Sequence, residues 1–561
     1  MVAVAVIFGQ TTAQEARTFS DAGSSSAGNA ECAIYNAPLC HPGTIEIFVK
    51  RFTAKTGDPT KALNVWLVQG GPGYSSTTLE PTMLDLYNQL QGKVNVYTMD
   101  HRGTGRSTRF DCAAMHKAAS GSGSGGQMSP LEVASCAKEL QFKYGDLSSF
   151  SMTSAATDVA TFISEYTNRE NTIVYGVSYG TALVERLMHL NTPMVSGYVL
   201  DGIATTSGAS ADPFPYISLW DIDYGEVEDS LLDLCDQTKA CSRYFKSETL
   251  SSTLLRVFRN VDKNPSSPCA QLLISTDTGN NQTSEPPSFS LRRIFGLLLV
   301  FSYMRTLIPP VVHRFNRCAP DDVKILTQLT SSLKSSTKTQ DDAYKSMLLY
   351  YLIIFSEMWE TPAHSSQTMR KRFADTRISD GGFYEVDVGG IYRLNSLYCA
   401  FSKETSPACN GLKGGNYTSN AIIYERDEYW NKSAVIPNQA SVLLLSGKLD
   451  PQTPHKYAEY LLEVLDGENK ELIAFDYAAH GTVIPTQHVE RDSDSEMCGM
   501  KLLASYVKNS GDLALLDKTS LDKMLRFNWT IPTDYLYGYF GTDEPYNGAY
   551  IPSASTQYSD E

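Results

Sequence analysis

The stretch NTIVYGVSYGTALVERL, residues 171–187, changes character within a single turn. Ile173, Val174 and Tyr175 are β-formers in the pattern of a buried strand, and from Ala182 to Leu190 apolar residues return at helical spacing. Between them stand Gly176, Val177, Ser178, Tyr179 and Gly180. A Gly-x-Ser-x-Gly string arises by chance in roughly one chain in five of this length, so the setting carries the information rather than the string. Strand, sharp turn and helix is the arrangement that lifts a serine hydroxyl clear of a sheet edge. Its glycines have a steric reason: the turn is strained, and side chains at 176 and 180 would strike the adjoining strand and helix.

Working outward, other short apolar runs also end in glycine-rich or polar loops: NVWLVQGGPG (64–73), VNVYTMDHRGTG (94–105), SGYVLDG (196–202), SVLLLSGKLDP (441–451) and ELIAFDYAAHG (471–481). Near-continuous apolar runs suit parallel strands covered on both faces. Helical patterns alternate with them, as at 154–168, for which Thr153 is the expected N-cap. The alternation predicts an α/β fold. It breaks between about 203 and 435, where helix-like segments and Pro/Ser loops predict a large, mainly helical inserted cap. The expected organisation is a truncated signal peptide over 1–13, a first core segment over 14–202, the cap over 203–435, a second core segment over 436–515 and a C-terminal extension over 516–561.

A serine hydroxyl is a poor nucleophile at neutral pH and needs a base and a group that orients the base. His480, just past the strand pattern in ELIAFDYAAHG (471–481), would reach the same sheet edge as Ser178. Asp450 follows the run VLLLSGKL and is trailed by Pro451, Thr453 and Pro454, which stop the strand and set a rigid turn. There it could accept the imidazole N–H and stabilise the imidazolium. The chain order Ser178, Asp450, His480 is that of α/β-hydrolases, not of the chymotrypsin or subtilisin arrangements. The backbone amide of Tyr179, with Gly70 or Gly71, would form the oxyanion hole. GGPG lacks the lysine and spacing of a phosphate-binding loop. An unperturbed histidine base predicts loss of activity as pH falls through about 6.5. The scheme requires no metal and no cofactor.

The balance of 62 acidic against 47 basic residues, a net charge of −15, argues against nucleic acid as a partner. The runs IFGLLLVFSYM (294–304) and MLLYYLIIF (347–355) are too short to span a bilayer and predict buried helices or a lid. MVAVAVIFGQTTA reads as a signal peptide without its basic n-region, cleaved after Ala13. Eleven cysteines and the sequons at Asn281, Asn416, Asn431 and Asn528 agree with a secreted, glycosylated chain. Neighbour pairing predicts Cys32–Cys40, Cys112–Cys136, Cys235–Cys241, Cys269–Cys318 and Cys399–Cys409, with Cys498 left over. The oligomeric state does not follow from the sequence.

QGGPG, MDHRGTGRS, GVSYG, GKLDPQTP and AAHG stand in the order and spacing of one family. The chain resembles the prolyl aminopeptidase and secreted tripeptidyl aminopeptidase branch of the α/β-hydrolases over about 60–205 and 440–510. It departs from the pattern at Gln69, where the family usually has histidine, and Cys498 lacks the later cysteine partner of the tripeptidyl-type members. The resemblance implies a serine exopeptidase acting on a peptide with a free amino terminus. Acidic side chains of the cap would bind the ammonium. Glu357 is the first choice, with Glu360, Asp221, Asp223 and Glu226 as the other candidates. A carboxylesterase or lipase uses the same triad and remains the alternative. A catalytically idle binding protein commonly lacks a triad member, and all three stand in this chain. An epoxide hydrolase or dehalogenase would place aspartate at position 178.

Overall fold

The computed structural model describes residues 20–21, 30–115, 128–209, 214–246, 248–274, 285–335, 344–381, 391–412, 415–484, 486 and 497–551. The expected signal peptide and Asn281 lie outside them. Among the described residues nine strands form one sheet: β1 (Ser20–Asp21), β2 (Ala30–Pro38), β3 (Thr44–Phe52), β4 (Asn64–Val68), β5 (Asn95–Asp100), β6 (Thr172–Val177), β7 (Val195–Asp201), β8 (Ser441–Gly447) and β9 (Lys470–Phe475). Their order is β1-β2-β3-β5-β4-β6-β7-β8-β9. The first three strands are antiparallel, β3 meets β5 antiparallel, and every pairing from β5 to β9 is parallel.

β4, β5 and β8 are buried at every position, as strands covered by helices on both faces must be. From β4 the chain winds to one side to form β5 and to the other to form β6. The carboxyl ends of β4 and β6 therefore flank a topological switch point, where open α/β sheets place their ligand sites. QGGPG leaves β4 and Ser178 leaves β6 at that point. This is the α/β-hydrolase fold.

Between β7 and β8 the named elements are helices. Those from Trp220–Gln237 to Pro320–Ser335 share an apolar core with Trp529, Ile531 and Phe540 of the C-terminal extension. That aromatic extension is docked: Arg314 donates to the carbonyls of Glu544, Pro545 and Gly548. By contrast, Met347–Glu357 and Leu394–Ser402 pack into the core of the sheet itself. The run 347–355 falls in helix Met347–Glu357, while the run 294–304 occupies the end of helix Pro287–Val300 and the turn after it; among the described residues no helix is long and apolar enough to cross a membrane.

Two local expectations are corrected. The helix Met152–Tyr166 is capped by Ser151, whose hydroxyl accepts from Ser154 N at 3.1 Å; Thr153 instead bonds Asp427 and Arg186. Four of the five expected disulfides form, but Cys32 and Cys40 stay free. Cys32 lies within β2 and Cys40 beyond its end, so extended chain holds them roughly 20 Å apart, far past disulfide reach. Asn416, Asn431 and Asn528 are exposed.

Candidate active site

Ser178 takes φ +57° and ψ −130°, a strained conformation for a residue with a side chain, and the helix Tyr179–Leu190 starts immediately after it. The corner closes only with glycines on either side. A Cβ on Gly176 would lie 2.5 Å from the carbonyl oxygen of Gly180, and one on Gly180 would lie 2.5 Å from that of Val68. Ser178 N donates to the Asp201 carbonyl at 2.9 Å, which ties the corner to β7.

The loop after β4 passes against the serine. A Cβ on Gly70 would meet Ser178 Cβ at 2.7 Å and Oγ at 3.3 Å. Gly70 N, however, donates to the Gln69 side chain at 2.7 Å, and Gln69 Nε2 is tied to Thr78. Gly71 is exposed, and its amide meets no acceptor among the described residues. The Gly71 amide and Tyr179 N, which as the first helical amide lacks an intrahelical partner, are the candidate oxyanion donors left without an acceptor. Gln69, the departure from the family pattern, thus occupies one of the two candidate amides.

Asp450 is fully buried and held by its own turn. Its Oδ1 accepts from the amides of Gln452 and Thr453 at 2.9 and 3.1 Å, and its Oδ2 accepts from Thr453 Oγ1 at 2.7 Å. His480 Nδ1 lies 2.8 Å from that Oδ2. A proton on Nδ1 directed at the carboxylate leaves Nε2 with its lone pair, the state a general base requires. Gly202 fences the ring, since a Cβ there would lie 3.1 Å from His480 Cε1. Ser178 and His480 therefore flank the same Asp201–Gly202 corner. Burial by itself would lower the imidazole pKa, but Asp450, by charge and hydrogen bond, and Asp201 beyond it hold His480 above its ordinary 6.5.

Asp201 was not singled out in the sequence. Its buried carboxylate accepts from Thr482 N at 2.7 Å, Val483 N at 3.1 Å and Tyr175 OH at 2.9 Å. It clamps the loop just past His480 while its own carbonyl holds Ser178 N, so one residue registers His480 against Ser178. The available signal was its place at the end of a strand run, like that of Asp450. MDHRGTGRS builds a neighbouring wall. Asp100 accepts from Ser76 and Arg106, and Arg102 forms a two-point ion pair with Asp158.

Of the cap carboxylates, Glu357 bears on the Tyr179 phenol. Its Oε2 is paired with Arg186 Nη2 at 3.1 Å and its Oε1 accepts from Tyr424 OH at 2.7 Å. Glu360 pairs with Arg372, while Asp223 and Glu226 share Lys456. Asp221 differs. It accepts from Ser379 Oγ at 2.7 Å, has no direct ion pair among the described residues, and is pushed up to about 7 by burial and by neighbouring Asp380. Asp380, which receives Trp220 Nε1 at 2.7 Å, also bears on the buried phenol of Tyr350, as does Tyr74 of the QGGPGY loop. No cluster of three metal-ligating side chains occurs among the described residues.

No family model and no curated protein matches the chain. Among solved structures it is similar to an esterase from Exiguobacterium antarcticum (13% identity, 84% of this chain and 100% of that chain, TM-score 0.30). It is also similar to a proline iminopeptidase from Mycobacterium smegmatis (11% identity, 86% and 99%, TM-score 0.32). A third likeness is to epoxide hydrolases from metagenomes of hot environments (12% identity, 80% and 92%, TM-score 0.26). The fold assignment itself rests on the strand order and the serine corner.

Proposed function

We propose that the protein is a serine hydrolase that removes residues from peptides with a free amino terminus. The observation that carries this reading is the strained Ser178 corner set beside a histidine whose Nδ1 is held by a buried aspartate. Ser178 Oγ adds to the carbonyl while His480 takes its proton. Gly71 N and Tyr179 N receive the developing oxyanion, and His480 then protonates the departing nitrogen. Water, activated by the same base, opens the acyl-enzyme. The ammonium would meet Asp221, which has no direct ion pair among the described residues, ahead of Glu357, whose charge Arg186 already answers. The chain's disulfides accord with an oxidising, extracellular setting.

A second reading is favoured by the pairing of four of the five cap carboxylates with cations: an esterase needs no ammonium subsite. One panel decides, comprising prolyl, alanyl and tripeptidyl amides with free amino ends, their N-blocked forms and a short ester, assayed with wild type and Ser178→Ala. Cleavage of the free-amine amides alone, abolished by Ser178→Ala, supports the aminopeptidase. Turnover of the ester alone, or of blocked and free peptides alike, removes the ammonium subsite.

A further inference from the structure

A hollow of about 220 Å³ opens beside the helix Cys498–Lys508, on the side away from its buried Leu502, Leu503 and Tyr506. Lys501, Ser505 and Lys508 line it at helical spacing, so two ammonium groups rise from one helix face. Leu90, just past the helix Glu80–Gln89, forms another wall, and the segment 517–523 brings Lys523 to the same hollow. The walls are tied together: Ser505 Oγ accepts from Asp517 N at 2.8 Å, and Ser520 Oγ lies 3.0 Å from the Cys498 thiol. The hollow stands apart from the serine corner. Tyr506 on this helix bonds the Ser441 carbonyl at the amino end of β8, and Leu90 precedes β5, whereas Ser178 follows the carboxyl end of β6.

Three ammonium groups and one carboxylate, Asp517, line this hollow in a chain whose net charge is −15. Asp517 is already engaged, since its Oδ1 accepts from Thr519 Oγ1 at 2.7 Å and Thr519 N at 3.0 Å. Those bonds first, and then the charges of Lys501 and Lys508, hold its carboxyl below the ordinary value. Lys508 and Lys523 have no carboxylate within ion-pair distance among the described residues. The helix dipole does not explain the gathering: it favours Lys508 in the last turn, but disfavours Lys501 near the helix start.

We propose that this hollow binds a phosphate dianion, free or as the end group of a small phosphomonoester. Three positive charges less the one of Asp517 leave a surplus of two, which a dianion answers and a single carboxylate does not. Lysine binds phosphate as a point charge, without the planar fork that suits arginine to a carboxylate. The volume is about seven times the ~30 Å³ share of one liquid water, room for a phosphate and a short attached chain. A long polyanion would run on to an acidic surface and be repelled. Binding here forms no covalent bond and asks nothing of Ser178.

The test is calorimetric titration of the full chain with inorganic phosphate at about pH 7.5, where phosphate is largely dianionic, with sodium chloride holding the ionic strength constant. One saturable site with a Kd of about 1 mM is expected, and it should weaken as salt rises because the lysines are open to solvent. Lys508→Gln combined with Lys523→Gln should weaken binding about tenfold. Lys518→Gln, whose ammonium pairs with Glu471 outside the hollow, should leave it unchanged. All three lysines are exposed, so circular dichroism should not move. Ser178→Ala should bind phosphate as wild type does, which keeps this site separate from the hydrolase reading. Glycerol 1-phosphate binding more tightly than phosphate assigns the site to monoesters, and equal or weaker binding assigns it to free phosphate. No saturation by about 20 mM phosphate overturns the proposal. So does unchanged affinity in the double variant, or an equal loss in Lys518→Gln. Displacement of phosphate by an equal concentration of acetate also overturns it, since the site would then read charge and not a dianion.

Discussion

The carboxylates at the sheet edge and those of the cap are held in different ways. Asp450 and Asp201 are ordered by backbone amides and hydroxyls, with Asp450 bound by donors two and three residues away. In the cap, Glu357, Glu360 and Asp223 are held by guanidinium or ammonium groups, and Glu357 reaches Arg186 across 171 residues. Backbone donors fix a carboxylate's direction and leave its charge available to an imidazole. A cation neutralises the charge and turns it into a brace. Among the described residues the edge carboxylates therefore keep their charge unpaired by lysine or arginine, whereas most of the cap's is neutralised by cations.

The largest effect should come from the edge. Asp450→Asn should lower kcat by about 10⁴, because the amide favours the wrong imidazole tautomer. Steady-state kinetics on protein with unchanged circular dichroism would check this, and a loss below tenfold would remove Asp450 from the triad. Next comes the brace: Arg186→Met strands Glu357 and should cost about 3–5 kcal/mol in urea unfolding. Adding Glu357→Leu should recover part of that. If Glu357→Gln alone instead raises KM for free-amine peptides at unchanged stability, Glu357 is not merely a brace and the contrast between the regions narrows.

A smaller effect is expected from Asp201→Asn, about ten- to hundredfold in kcat, since it loosens the loop that carries His480. Its signature is in the pH profile. The base works only when neutral, and its pKa is raised, so wild-type kcat/KM should begin to fall at a pH above 6.5 as the solution is acidified. Removing the Asp201 charge should move that limb to lower pH, and an unmoved limb would reduce Asp201 to packing. The smallest effect separates the cysteines. Cys32→Ser and Cys40→Ser should stay within about 0.5 kcal/mol of wild type, whereas opening the 49-residue loop with Cys269→Ser should cost about 4 kcal/mol. Thermal denaturation of the three variants side by side would show the difference.

Much of the edge was legible because its causes are local. A strand, a strained serine and a helix occupy seventeen consecutive residues, and the turn that orients Asp450 is encoded by Gln452 and Thr453 beside it. Four disulfides were legible because each joins neighbouring cysteines, while the fifth failed because an extended strand separates its partners. Asp201 escaped notice because nothing in its own stretch distinguishes a clamping carboxylate from an ordinary strand end.

The sequence by itself determined the alternation of buried strands and helices, the serine corner, and a chain order that parallel strands convert into one shared edge. Only the tertiary structure decided that Gln69 occupies Gly70's amide, that Arg186 answers Glu357, that the aromatic tail completes the cap's core and that Lys523 joins Lys501 and Lys508 at one hollow. The reason is physical: a turn or a strand is fixed by forces within a few residues, but the partner of a buried charge is whichever group the fold brings to it.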